Sequence, residues 1–136
     1  MEMIQSLKDL TSNILETMFF LTQETEPLEK SSSYRYAVSI KDQRLEIIIM
    51  FCERTARLMT ENFLGTEEIS EKDITDTLKE CINIIVGNFV GSNIQDFTKK
   101  INIPNVIDVS SVKIDAYDSA LLYYREEALN VLLKAG

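Results

Sequence analysis

The stretch DITDTLKECINIIVGNFVG, from Asp73 to Gly91, has the periodicity of a helix that is buried on one side. An α-helix turns by about 100° per residue, so residues three and four apart share a face. The pattern extends to about Phe97, and Ser70 with Asp73 resembles a capping box at its start. Five apolar residues fall on one face and are predicted to pack in the core: Ile74, Leu78, Ile82, Ile85 and Phe89.

The opposite face of this predicted helix carries four residues, Asp76, Glu80, Asn83 and Gly87, which we call the polar stripe. Most polar helix faces are simply solvated. However, Asn and Gly are poor residues for a helix interior, and solubility alone would be better served by Lys, Glu, Gln or Ala. A carboxylate and an amide one turn apart can enter a partner's cleft together, and a glycine one turn later lets the partner's backbone approach closely. We therefore expect the function to lie on this face.

The remaining segments predict an α+β fold. The run from Leu45 to Phe51 is apolar at nearly every position, which indicates a strand that is central in its sheet or covered on both faces. Gly65 is predicted to cap the helix before it, in which Glu53 and Arg57 are spaced for an i,i+4 ion pair. The predicted elements are a helix over 3–22, an antiparallel hairpin of 34–40 and 45–51, a helix over 53–64, strands over 105–114 and 120–124, and a short helix over 126–133.

This order reads helix, strand, strand, helix twice, which predicts a single domain, 1–136, built from two similar halves of about 1–65 and 66–136. We expect a two-layer α/β sandwich in which an antiparallel sheet packs on long helices. When residues 10–20 are aligned with 74–84, Ser12 matches Asp76 and Glu16 matches Glu80, but Phe19 stands opposite Asn83. The first half is therefore predicted to carry a degenerate copy of the polar stripe.

Composition excludes several classes of function. The chain has 136 residues, no histidine and a formal charge of −8, so histidine-based catalysis and most zinc sites are excluded, and anionic nucleic acids or lipid surfaces are disfavoured as partners. Cys52 and Cys81 form neither a disulfide framework nor a metal-binding pair of neighbouring cysteines, which fits a reducing cytoplasm. No run is apolar enough to span a bilayer and no targeting segment is evident, so we expect no membrane partner.

The spacing Asp76-x-x-x-Glu80-x-x-Asn83, followed by Gly87-Asn88, resembles the signature of the CheC/CheX/FliY family of chemotaxis phosphatases. That signature has an Asp or Ser, a Glu and an Asn at this spacing, with a proline a little over twenty residues later. Pro104 stands slightly earlier than this. The single-motif CheX-like branch is the most similar in length, and the degenerate first copy is similar to the family's duplicated architecture with one site lost.

The resemblance implies an enzyme that hydrolyses the aspartyl-phosphate of a CheY-like receiver domain in the bacterial cytoplasm. By that likeness Glu80 would pair with the receiver's lysine and Asn83 would orient the attacking water. Asp76, Gly87 and Pro104 would contact the partner. The protein would need no cofactor of its own, because the receiver would supply the Mg²⁺ that neutralises the phosphoryl group.

Two alternatives stay open from the sequence. One is a non-catalytic adaptor of the same fold that binds a receiver or resembles a flagellar-switch module. The other, compatible with either activity, is a homodimer in which Leu45–Phe51 or Ala120–Tyr124 pairs edge to edge with its twin.

Overall fold

Three helices pack on one face of a five-stranded antiparallel sheet in the computed structural model of the chain, which describes residues 3–28, 33–42, 45–93 and 102–135. This arrangement confirms the predicted α+β sandwich. The helices are α1 (Met3–Phe19), α2 (Glu53–Leu64) and α3 (Glu71–Asn93), and the strands are β1 (Tyr34–Lys41), β2 (Leu45–Cys52), β3 (Asn105–Ile107), β4 (Asp118–Tyr124) and β5 (Glu127–Ala135).

The strands are ordered β3-β1-β2-β5-β4, so β2 lies at the centre of the sheet, as its apolar sequence predicted. β1 and β2 form the predicted antiparallel hairpin, with Val38 opposite Ile49. On the other side of β2, β5 pairs antiparallel, with Ile48 opposite Leu132. The three strands that are buried along most of their length, β1, β2 and β5, are therefore neighbours, although β5 is far from the other two in the sequence.

Side chains of a strand alternate between the two faces of the sheet, and here both faces are covered. Ile47, Ile49 and Phe51 of β2 point to the helices and join the main core. Ile48 and Met50 point the other way, into a smaller cluster under the segment 109–117, which contains two short 3₁₀ turns. A strand with apolar residues at consecutive positions is stable only in such a place, because one face would otherwise be exposed to water.

Both helices of the first half end in a left-handed residue. α1 ends at Phe19, three residues before the predicted end, because Phe20 has a φ of 58° and the amide of Leu21 donates to the carbonyl of Leu15. α2 ends at the predicted cap, Gly65, with a φ of 71°. Glycine adopts this conformation without strain, whereas Phe20 does not.

α3 begins with the predicted capping box. The Ser70 hydroxyl accepts from the amide of Asp73, and the Asp73 carboxylate accepts from the amide of Ser70. The first turn is also tied to the sheet, since the Tyr36 hydroxyl of β1 donates to the Glu71 carboxylate at 2.8 Å. The helix is described as far as Asn93, so the predicted continuation over 94–97 lies outside the described residues.

The second half of the chain differs from the predicted order of elements. Residues 126–133 were predicted as a helix, but 127–135 form strand β5, so that prediction is wrong. The predicted strand over 105–114 stops at Ile107 and gives way to the 3₁₀ turns. The helix-strand-strand-helix order is therefore not repeated in the second half, because the position of a last helix is taken by a strand inserted between β2 and β4.

The sheet order also decides which strands have a free edge. Leu45–Phe51 cannot pair with a second copy of the chain, because β2 is hydrogen-bonded on both sides, so this proposed dimer contact is wrong. Ala120–Tyr124 does lie in an edge strand, β4. Glu24 already bridges Tyr123 at that edge. A dimer through the rest of β4 stays a prediction.

Alkaline pH should destabilise the protein partly through Tyr36. Burial, and the hydrogen bond to Glu71, raise the pKa of Tyr36 from 10.0 to about 12. The unfolded chain therefore binds fewer protons than the folded chain between these pH values, and the free energy of unfolding falls as the pH rises through them. The pKa of Tyr34 is raised as well, so the pH dependence of the wild-type stability alone does not isolate the contribution of Tyr36. In urea titrations, the stability difference between wild type and Tyr36→Phe should shrink from pH 10 to pH 12. A constant difference would contradict this.

Candidate functional site

The polar stripe lies on the outward side of α3. Its opposite face is buried as predicted, with Leu78 and Ile82 at 0% exposure, together with Ile74, Ile85 and Phe89. Each such side chain contributes about 2 kcal/mol of burial energy, so the rotation of the helix about its axis is strongly fixed. Asp76, Glu80 and Asn83 are consequently exposed. A rigid helix that presents polar groups at fixed positions suits recognition of a partner surface.

Asp76 is the one residue of the polar stripe that has an ion-pair partner in the described part of the chain. Lys72 Nζ lies 2.6 Å from Asp76 Oδ2, one turn earlier on the same face. The hydrogen bond from Lys72 holds the pKa of Asp76 below its usual value. Both side chains are solvated, with exposed fractions of 83% and 51%, so the pair contributes little to stability. Its effect is to cancel the charge of Asp76 locally.

Glu80 and Asn83 have no hydrogen-bond or ion-pair partner among the residues that the structure describes. They lie three residues apart on one helix face, which separates them by about 4.5 Å along the axis. An amide presents both a donor and an acceptor, while a carboxylate accepts only. The two groups are therefore free to bind an external cation and a water or oxyanion at the same time.

Gly87 continues the polar stripe, and nothing inside the described protein requires a glycine there. A Cβ built at Gly87 meets no atom within 4 Å. Its backbone is helical, so neither a turn nor a positive φ explains it. The bare backbone at Gly87 therefore borders open space, one turn beyond Asn83.

Pro104 lies outside the polar stripe. It is partly buried in the segment that leads into β3, at the edge of the sheet next to β1. α3 crosses the same side of the sheet, over β1 and β3. Pro104 and the polar stripe therefore belong to different elements, with α3 packed against the strand that follows Pro104.

The first half carries the degenerate copy in a different environment. Glu16 on α1 is exposed like Glu80, and Ser12 is partly buried. Phe19 is fully buried and its ring centroid lies 5.2 Å from that of Phe63 on α2. A core side chain thus takes the place that corresponds to Asn83, so α1 presents no amide at that position.

Sequence reasoning missed the contact that holds the first turn of α3. Tyr36 and Glu71 are 35 residues apart in the chain, and Arg35 stacks over the Tyr36 ring with its guanidinium carbon 4.9 Å from the centroid. By position in the sequence, Glu71 is simply a negative charge near a helix N-terminus, where such a charge is favourable. A contact this distant has no local sequence signal, because it depends on how β1 and α3 pack.

The described residues contain no group of three or more His, Cys, Asp or Glu side chains that could hold a metal ion. Cys81 is fully buried next to the core face of α3, and burial raises the pKa of its thiol. It therefore behaves as a small apolar residue rather than as a nucleophile. Within the same ranges, no helix combines the length and apolarity needed to cross a bilayer.

The family model described as chemotaxis phosphatase CheX matches residues 37–123, which is well over half of the 136 residues. This chain belongs to the CheX family. The matched range contains all of the polar stripe and Pro104. A search of curated proteins found no significant match.

Three solved CheX structures have the same fold. The one from Desulfovibrio desulfuricans aligns with a TM-score of 0.72 at 18% identity and covers 100% of both chains. The one from Vibrio vulnificus aligns with a TM-score of 0.70 at 17% identity, covering 98% of this chain and 95% of that one. The CheX-CheY-BeF3-Mg²⁺ complex from Borrelia burgdorferi aligns with a TM-score of 0.69 at 18% identity, covering 97% and 96%. At these identities the likeness concerns the fold alone.

Replacing Gly87 by alanine should stabilise the CheX-family fold described here. The added methyl group meets open space. Alanine is more favourable than glycine inside a helix by about 1 kcal/mol, so the free energy of unfolding should rise by up to that amount in urea titrations.

Gly65→Ala is the matched control for this substitution. Gly65 has a φ of 71°, where a side chain is strained, so the same chemical change should destabilise the protein. Loss of stability in Gly87→Ala would mean that the fold itself requires this glycine.

Proposed function

We propose that this protein dephosphorylates the aspartyl-phosphate of a CheY-like receiver domain by docking the polar stripe of α3 on the phosphorylated site. The observation that carries the proposal is the pair Glu80 and Asn83, exposed and unpartnered among the described residues on a helix whose rotation is fixed by its buried face. Membership of the CheX family supports it. We place the protein in the bacterial cytoplasm together with its receiver.

Asn83 is the proposed catalytic residue. Hydrolysis of an acyl phosphate forms a bond between a water oxygen and phosphorus, breaks the bond from phosphorus to the aspartate oxygen, and releases inorganic phosphate and a carboxylate. The reaction needs a water held in line with the breaking bond and neutralisation of the phosphoryl charge, rather than a protein nucleophile. The amide of Asn83 can accept a hydrogen bond from such a water through its oxygen and donate one through its nitrogen.

Glu80 is proposed to dock the complex. Its carboxylate makes no ion pair in the described chain, so it is available for a lysine beside the receiver's phosphorylation site. The local charge also limits repulsion from an acidic receiver, because Lys72 neutralises Asp76 and Lys79 precedes Glu80 on the same helix. The chain's charge of −8 therefore does not make this surface strongly repulsive towards an acidic receiver, since more distant charges are screened beyond about 10 Å.

Asp76, Gly87 and Pro104 complete the proposed interface. Asp76 would make a peripheral polar contact, and the empty surface at Gly87 would admit the receiver's backbone close to α3. Pro104 would limit the approach on the side of β3. The Mg²⁺ that neutralises the phosphoryl group would belong to the receiver. The Borrelia burgdorferi relative, which was solved as a CheX-CheY-BeF3-Mg²⁺ complex, supports such a partner.

Asn83→Ala should abolish the acceleration of receiver dephosphorylation. Loss of a group that acts on the attacking water typically costs about 100-fold or more. The substitution should leave the fold intact, because Asn83 is exposed and alanine is the better helix former. The measurement is the decay of the phosphorylated receiver from the same organism, with and without the protein. Asn13→Ala, which removes an exposed amide from α1, is the control that should retain activity.

Glu80→Ala should act mainly on binding. Because it removes the proposed partner of the receiver's lysine, the receiver concentration at half-maximal rate should rise about tenfold or more, with a smaller effect on the maximal rate. Glu16→Ala removes the aligned exposed carboxylate of α1 and should change neither quantity. Equal losses in both variants would contradict the assignment of the site to α3.

The adaptor alternative has its own outcome in these experiments. If wild type binds the phosphorylated receiver but leaves its decay rate unchanged for every cognate receiver, the protein is a binding module and Asn83 has no catalytic role.

A further inference from the structure

A cavity of about 210 Å³ lies between α2 and the turn that joins β4 to β5, and it shares no residue with the polar stripe. Its lining residues are Arg54, Arg57, Leu58, Glu61 and Arg125. Three guanidinium groups against one carboxylate leave a formal charge of +2 in a protein whose total charge is −8. The concentration of positive charge is therefore local and opposite in sign to the rest of the molecule.

The turn that contains Arg125 has a strained backbone. Arg125 and Glu126 have φ values of 52° and 70°, which suit the twist of a two-residue hairpin but favour glycine or asparagine over these side chains. Thr55 of α2 donates a hydrogen bond to Glu127 Oε1 at 3.2 Å and so ties the start of β5 to α2. This contact helps to hold the turn, and with it Arg125, next to α2.

The three arginines of the cavity are not paired with neighbouring carboxylates. In the part of the chain that the structure describes, Arg54, Arg57 and Arg125 form no ion pair. Glu53 does not pair with Arg57, although their spacing predicted it. Glu61 is the carboxylate in the lining, while Glu127 accepts the hydrogen bond from Thr55 and lies outside the lining.

We infer that this cavity binds a compact phosphate-type oxyanion. Guanidinium groups present paired donors that match the oxygens of phosphate, and several converging on one site give strong charge-assisted hydrogen bonds. The volume accommodates phosphate, pyrophosphate or the terminal phosphoryl group of a small metabolite. The cost of a strained turn and of unpaired like charges is then offset when the anion is bound.

The site is tested by calorimetric titration of the full chain with inorganic phosphate and pyrophosphate at constant ionic strength. We expect saturable binding to one site. Glucose 6-phosphate is titrated in parallel, because it carries the phosphoryl group on a small organic molecule. Tighter binding of the free oxyanions or of glucose 6-phosphate shows which source of the phosphoryl group the site prefers, and either result supports the site. The test does not depend on the proposed phosphatase activity, because no receiver is present.

Arg57→Gln and Arg125→Gln should each weaken this binding about tenfold or more, which is the usual effect of losing a charged hydrogen bond. Lys113→Gln removes an equal charge from an exposed position in the segment on the other face of the sheet, and it should bind as wild type does. Unfolding midpoints of the three variants verify that they are folded. The absence of saturable binding in wild type, or equal weakening by Lys113→Gln, would overturn the inference.

Discussion

Burial of one side of α3 against the sheet and α1 is the constraint on which the site depends. The core residues of this helix recur every three or four positions and are almost completely excluded from water. Rotating the helix by even one residue, about 100°, would turn Leu78 out of the core and bring Lys79 or Thr77 towards it, which costs several kcal/mol. Packing of the buried face therefore fixes the orientation of the helix. As a result Glu80 and Asn83 point outward, although neither side chain makes a bond that holds the helix in place.

Elements whose signals are local could be predicted from the sequence. The bounds of α2, its Gly65 cap and the Ser70–Asp73 box follow from neighbouring residues. The last strand could not be predicted in this way, because Glu127, Ala128 and Leu129 are good helix formers. Pairing with β2 and β4 overrides that local preference. The turn before this strand has no sequence signal either, since Arg125 and Glu126 are not the residues that left-handed turns favour.

The same distinction applies to the candidate site. Glu80 and Asn83 share one helix, so their spacing alone determined that they lie together. The ion pair between Lys72 and Asp76 could also be predicted from their spacing, because the two residues lie one helical turn apart. By contrast, the anchor of Tyr36 on Glu71 and the meeting of Arg125 with α2 join segments that are distant in the chain. Such contacts arise from sheet order and layer packing, which no local pattern in these segments encodes.

The central place of β2 has a consequence for how the chain is made. β2 ends at Cys52 and its partner β5 begins at Glu127, about 75 residues later. During synthesis at roughly 5–20 residues per second, the edge of β2 that faces β5 is unpaired for several seconds. That edge is long, apolar and Ile-rich, which are the properties of a strand that recruits other chains. Early release or truncation before β5 would therefore yield an aggregating species rather than a smaller folded domain.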